Sequence, residues 1–176
     1  MAAVVNKPLI KKNHMEIHWH DYASTDGLVS IKKESLPAKA SVIGRVGIMM
    51  LACGTGAWRV RSSMNELSEL MEVTCTADIG LMSINYTCFD GDNSFSQSLC
   101  LTSTGVNTSQ LNRLEKFVID FKSDHLYQSC EKIHSMLDDI EKIHGLYTPN
   151  TLAAAAALAW GAAELPESRL SLWQQL

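Results

Sequence analysis

Three groups of residues in this chain could do chemistry by their type and spacing. His14, His18, His20 and Asp21 come first. The i,i+4 pair His14 and His18 could share a helix face, and the run His-Trp-His-Asp could chelate zinc or nickel if its segment were ordered. No second-shell partners are readable around them, so they are expected as imidazoles of a polar stretch rather than a metal site. Gly54 and Gly56 flank Thr55, with Arg59 one turn on. Missing side chains admit another backbone, a kink, or a ligand, and Arg59 could then meet an anionic carboxylate. A phosphate loop would need a preceding strand and a fuller glycine spacing. The third group is His134 and His144 with Glu131, Asp138, Asp139 and Glu141. At helical spacings such charges usually form a solvated face with ordinary ion pairs. GxSxG, HExxH and Walker signatures are missing from the sequence, which points away from an enzyme with a motif-borne catalytic set. It likewise suggests no cofactor.

The elements that must position these groups follow from hydrophobic periodicity. From Val42 to Met71 the apolar positions Ile43, Val46, Met50, Cys53, Ala57, Val60, Met64, Leu67 and Met71 recur at steps of three and four. This predicts one long helix, interrupted by Gly54 and Gly56, whose opposite face is wet or meets something polar. Each glycine costs about 1 kcal/mol in a helix interior, so both are placed for a reason other than propensity. Residues 1–40 are polar and aperiodic and read as a mobile arm ending near Pro37. Val73–Ala77 is short and β-branched, and Met82–Phe89 alternates as a half-buried strand. Asp90-Gly91-Asp92-Asn93 is turn chemistry, after which Phe95–Thr102 alternates again, giving a hairpin. Asn107 with Gln110 three residues on predicts a capped helix carrying Leu111, Leu114, Val118 and Phe121. A break at Ser123-Asp124 introduces a second helix carrying Cys130, Ile133, Leu137 and Ile140. The sum is an α+β domain: a long glycine-interrupted helix packed with a small antiparallel sheet and two further helices.

The 176 residues are 46% hydrophobic, enough for one domain with a real core, and the net charge of -4 gives no general attraction to nucleic acid. Five cysteines form no CxxC pair or zinc spacing and read as small buried thiols. The first residues lack the apolar run of a signal peptide. Leu152–Ala163, the longest apolar run, would extend only about 18 Å as a helix, short of the roughly 30 Å hydrocarbon layer. Glu164, Pro166 and Glu167 interrupt it beyond that point. A chain of this kind is expected not to transport anything unaided.

At GTGAWRVRSSMN and again at LCLTSTGVNTSQLNRLEKF, the sequence resembles the N-terminal domain of the threonine/serine exporter family. The resemblance runs over about residues 42–160. Gly54 with Arg59 and Val60 corresponds to a glycine followed by an Arg-Val-like pair. Gly105, Val106 and Asn107 correspond to a Gly-aliphatic-Asn step before a leucine-rich helix. Ser103 and Thr104 stand where similar chains carry basic residues. The resemblance implies three stretches: a polar arm over 1–40, the exporter-type domain over 41–148, and an alanine-rich opening of a membrane-helix-like segment with a charged tail over 149–176. It implies a cytoplasmic domain, here expected as a fragment, of an exporter of threonine/serine or small dicarboxylates at the cell inner membrane. The implied partner is a membrane-embedded exporter subunit or a C-terminal membrane domain, with a small amino acid or dicarboxylate as ligand; an oligomer is compatible with it. Gly54, Gly56, Arg59 and Asn107 become the candidate substrate-binding residues. A hydrolase-like domain whose residues meet only in three dimensions, and a non-catalytic interaction module for a membrane partner, are the alternatives.

Overall fold

The computed structural model describes residues 17–24 and 29–143. The first helix, α1 (Leu36–Ala52), is the element on which the others are laid, and fifteen of its seventeen residues are buried. Ser35 in extended conformation precedes it, and proline stands in its first turn, where a missing N–H would have no helical partner anyway. The helix therefore begins at Leu36, upstream of the expected Val42. The described part of the 1–40 stretch is likewise packed rather than an arm. Ile31, in a 3-10 turn (Ile31–Lys33), is fully buried and its N–H donates to Gln128 O at 2.8 Å. A second 3-10 turn, Trp19–Tyr22, packs on α1 and on the last helix.

The expected single helix from 42 to 71 is two helices. Gly54 has φ +77°, a left-handed conformation that ends α1, and α2 (Ala57–Leu70) starts after Gly56 as its N-cap. The α1 carbonyls left over are met from a distant segment: Gly105 N donates to Ala52 O at 3.1 Å and Asn107 N to Cys53 O at 3.4 Å. A Cβ on Gly54 would also lie 3.3 Å from Gly105 O. Both the kink and the close backbone approach thus occur at one residue.

An antiparallel sheet of β1 (Thr74–Ile79), β2 (Ser83–Asp90) and β3 (Asn93–Cys100) follows, in the order β1-β2-β3. Pairing of Asp90 with Asn93 leaves Gly91 and Asp92 as the hairpin turn, with Gly91 at φ +57°. Ile84, Tyr86, Cys88 and Leu99 are buried, whereas Asn85, Ser96 and Ser98 are exposed, which is the alternation read from the sequence. Tyr86 lies against α1 where only a glycine fits: a Cβ on Gly44 would overlap its ring. The Tyr86 hydroxyl sits 3.0 Å from Ala40 O and 2.8 Å from Gln97 Oε1.

Helix α3 (Thr108–Asp120) is capped by Asn107, whose Oδ1 accepts from Gln110 N at 3.1 Å. The expected break at Ser123-Asp124 falls inside a π turn, Phe121–His125, that prolongs α3 and buries Phe121. The next helix, α4 (Cys130–Glu141), is capped instead by Ser129, whose Oγ accepts from Lys132 N at 3.3 Å. The alanine-rich run Leu152–Ala163 lies outside the described residues.

Substitution Gly44→Ala should lower stability by about 1 to 3 kcal/mol, because Tyr86 must move out of its site. Gly105→Ala, which meets nothing within 4 Å, should change it by less than about 0.5 kcal/mol. Urea denaturation of both variants checks the contrast, and equal stability for Gly44→Ala and wild type would show that the Tyr86 contact is soft.

Candidate functional site

Arg45 is the largest polar side chain in the interior, 2% exposed in the middle of α1. A guanidinium loses its hydration there and must recover it from fixed acceptors. Helix α4 supplies them. His134, Asp138 and Glu141 recur at steps of four and three, so they line one face of α4, and that face is turned to α1. Arg45 Nη2 donates to Asp138 Oδ1 at 2.5 Å and to Glu141 Oε2 at 2.9 Å, and Nη1 donates to His134 O at 3.0 Å. Its Nε has no hydrogen-bond partner among the described residues, and Cζ lies 5.9 Å from the centre of the Trp19 ring.

His20, beside Trp19, sits between two carboxylates. Its Nε2 is 3.0 Å from Asp138 Oδ2, and its Nδ1 is 2.8 Å from Glu131 Oε2, within ion-pair range although off the line of a directed hydrogen bond. Glu131 first, and then Asp138 against the opposing effect of burial, raises the His20 pKa above the usual histidine value. Burial works to raise that of Asp138, but hydrogen bonds from Arg45 and His20 outweigh it and hold the carboxyl below its ordinary value. His134 is the reverse of His20. It is fully buried, and burial followed by the Arg45 charge pushes its pKa down to about 3.

Ser41 Oγ lies 3.0 Å from His134 Nε2, a distance at which a serine and a base could cooperate. The surrounding hydrogen bonds assign other roles. Ser41 donates its one proton to Ala38 O at 2.7 Å, so its oxygen accepts from His134 and the imidazole proton resides on Nε2. Nδ1, where a triad has its orienting carboxylate, faces Arg45 Nη1 at 3.5 Å. The pair is buried, neutral and structural. The sequence expectation of a solvated charge face is thereby overturned for His134, whereas Asp138 and Glu141 stay 38% and 46% exposed while also accepting from Arg45. It holds for Asp139, 78% exposed and paired with Lys142 at 3.0 Å.

A cavity of about 200 Å³ lies beside this network, walled by Trp19, Arg45, Ile48 and Met49, with Gln110 and Glu141 also on its lining. A second hollow of about 450 Å³ is bordered by Leu51, Gly54, Thr55, Gly56 and Leu81.

The residues singled out from the sequence are distributed as follows. Gly54 and Gly56 border that second hollow. Arg59 is 43% exposed; it pairs with Glu115 at 3.1 Å and stacks on Trp58 at 5.3 Å. Asn107 joins three elements: besides capping α3 and donating its N–H to Cys53 O, its Nδ2 donates to Ile143 O at 2.8 Å. His18 and Asp21 are exposed, and His20 is held as described above. His14 and His144 lie outside the described residues. Among the described residues no group of three or more His, Cys, Asp or Glu side chains is arranged to hold a metal ion. Arg45 is the residue that sequence reasoning set off the apolar stripe, on the face expected to be wet or to meet something polar, and gave no role; it is buried. The available signal was a charge amid the apolar run Ser41–Leu51, matched by carboxylates at helical spacing in 138–141.

The described residues thus form an α+β domain whose buried polar groups join α1, α4 and the Trp19–Tyr22 turn. Residues 41–165 match the family described as threonine/serine exporter (ThrE), and the chain belongs to that family. Searches of curated proteins and of solved structures find no match.

Two measurements test the buried network. Arg45→Met should cost about 3 kcal/mol in urea denaturation, near the low end for a broken buried ion pair because Asp138 and Glu141 keep contact with water. A cost below about 1 kcal/mol would show that the pairing is incidental. For His134 the folded pKa lies below the unfolded value of 6.5, so its contribution is complete above pH 6.5 and is lost as pH falls toward 3. From pH 6.5 to 5 this group should remove about 2 kcal/mol of stability. His134→Gln, which keeps a donor for Ser41, should lack that component; an unchanged slope would contradict the assignment.

Proposed function

We propose that this chain is a cytoplasmic domain of an exporter of threonine/serine or small dicarboxylates and that it acts through non-covalent contacts with its substrate or with a membrane-embedded partner. The observation that carries the reading is the family match over residues 41–165, which takes in α1 from Ser41, the sheet, the Gly105–Asn107 step and both later helices. Threonine/serine exporters move amino acids across a membrane, and no helix among the described residues is long and apolar enough to cross one. The permeation path on this reading belongs to a membrane subunit or membrane domain, and the complete exporter resides in the cell inner membrane. The Ser41–His134 pair argues against the hydrolase alternative, since its proton arrangement leaves no general base beside a reachable hydroxyl.

The hollow bordered by Gly54 and Gly56 is the place we assign to a small amino acid or dicarboxylate. Arg59, in the first turn of α2 and outside the residues that border the hollow, could reach the ligand carboxylate by exchanging it for Glu115. Asn107 fixes the opposing segment, through its backbone bond to Cys53.

Calorimetric titration of the purified chain with threonine, serine and succinate tests the reading. Binding of at least one, weakened tenfold or so by Arg59→Ala at unchanged melting temperature, is the expected result, given that a charge-assisted bidentate contact is lost. Absence of binding to all three, with a membrane protein nonetheless co-purifying, would replace substrate contact by a pure docking role. Threonine efflux from vesicles containing the chain alone would overturn the division of labour.

A further inference from the structure

Among the described residues neither long edge of the sheet has a strand partner beyond β2, and the two edges are not alike. β1 has six residues and carries Asp78 at an exposed position. β3 has eight, Asn-Ser-Phe-Ser-Gln-Ser-Leu-Cys, with no charge and no proline. Its register against β2 runs unbroken from Ser83 opposite Cys100 to Asp90 opposite Asn93, so no bulge twists the edge away. Edge strands in soluble proteins are normally blunted by lysine, proline, bulges or a covering element, because free N–H and C=O groups template further pairing. β3 itself holds no lysine, proline or bulge, and among the described residues Tyr22 alone reaches it from the Trp19–Tyr22 turn, at Phe95 and Gln97 on the α1 side. An edge that among the described residues has no strand partner is consistent with one that is covered in use.

We propose that the β3 edge is the contact between two copies of this chain, pairing antiparallel about a two-fold axis to make one six-stranded sheet. Self-pairing suits this strand in particular. Antiparallel pairing about a two-fold axis sets residues of the same face opposite one another, so the row Ser94, Ser96 and Ser98 meets its own copy on the outer face. Two of those serines already bond across the strands: Ser96 Oγ is 2.8 Å from Thr87 Oγ1, and Ser98 Oγ donates to Asn85 Oδ1 at 2.7 Å. A second copy continues the hydroxyl rows, while Phe95, Gln97 and Leu99 stay on the α1 side. Charge is the usual obstacle when identical strands meet, and β3 carries none although each chain has a net charge of -4. The contact also closes. Once both β3 edges are paired, the outer edges of the dimer are β1, where Asp78 opposes further addition.

This inference is independent of the transport reading, and its test is the mass of the purified chain. Sedimentation across a wide concentration range should give twice the chain mass of 19.4 kDa. Ser96→Lys and Ser98→Lys, each at an exposed position, should return the monomer by setting like charges across the seam. Thr76→Lys, exposed on β1, should leave the dimer intact. A wild-type monomer at every concentration would overturn the proposal, as would folded β3-lysine variants that remain dimers or a Thr76→Lys variant that dissociates equally. If the β3-lysine variants fail to fold, hydrogen exchange of the wild type decides. Amides of residues 93–100 should gain protection with concentration while those of 74–79 do not, and an equal response of both strands would overturn it.

Discussion

A single guanidinium in the middle of the central helix constrains the rest of this molecule. Arg45 is covered on every side, so its charge has to be met by acceptors brought from elsewhere in the chain. Asp138, Glu141 and the carbonyl of His134 do so from α4, which lies some ninety residues away in sequence. That requirement fixes both the rotation and the axial position of α4 against α1. The two carboxylates remain 38% and 46% exposed, so only the cation is fully desolvated. Burying the delocalised, weakly hydrated partner is the less costly arrangement.

The same helix meets the sheet on different terms. On that side α1 offers glycine: Gly44 admits the Tyr86 ring, and a Cβ on Gly47 would fall 3.3 Å from Ile84 Cδ1 and 2.7 Å from Met64 Sδ of α2. One face of α1 is therefore specified by charge and another by the absence of side chains. The segment at Trp19–Tyr22 is then laid across the charged face, Trp19 beside Arg45 and His20 between Glu131 and Asp138. The His20 pKa is raised where that of His134, 5.7 Å away by ring centres, is lowered. Two histidines in one cluster are thus set differently: the outer has carboxylates beside it, and the inner is buried against the Ser41 hydroxyl and the Arg45 cation.

Membership in a threonine/serine exporter family and this interior are mutually consistent. The polar groups that resemble catalytic machinery are consumed in holding α1, α4 and the Trp19 turn together. What the domain offers to other molecules lies at its periphery: the hollow beside Gly54 and Gly56, the exposed Trp58, Leu81 and Val106, and the open β3 edge.

Local signals settled much of the architecture. The alternation of Ile84, Tyr86 and Cys88, the Asp90–Asn93 turn and the Asn107–Gln110 cap are each decided within a few residues, so the sequence alone located the hairpin and the start of α3. The helical stripe from Ile43 to Met71 was equally legible, as was the interruption at Gly54. Whether that interruption was a kink or a full break depended on Gly105 and Asn107 arriving to take the last α1 carbonyls, which no local pattern encodes. The Ser123-Asp124 break misled because a buried Phe121 holds the chain in a π turn, and tertiary burial outweighs a local capping preference. The polar cluster was the largest loss. His134, Asp138 and Glu141 have the spacing of a surface face, and a charge pattern reads the same in water or in the core; only the packing of α1 onto α4 decided that His134 is buried and that Asp138 and Glu141, still partly in water, turn to Arg45.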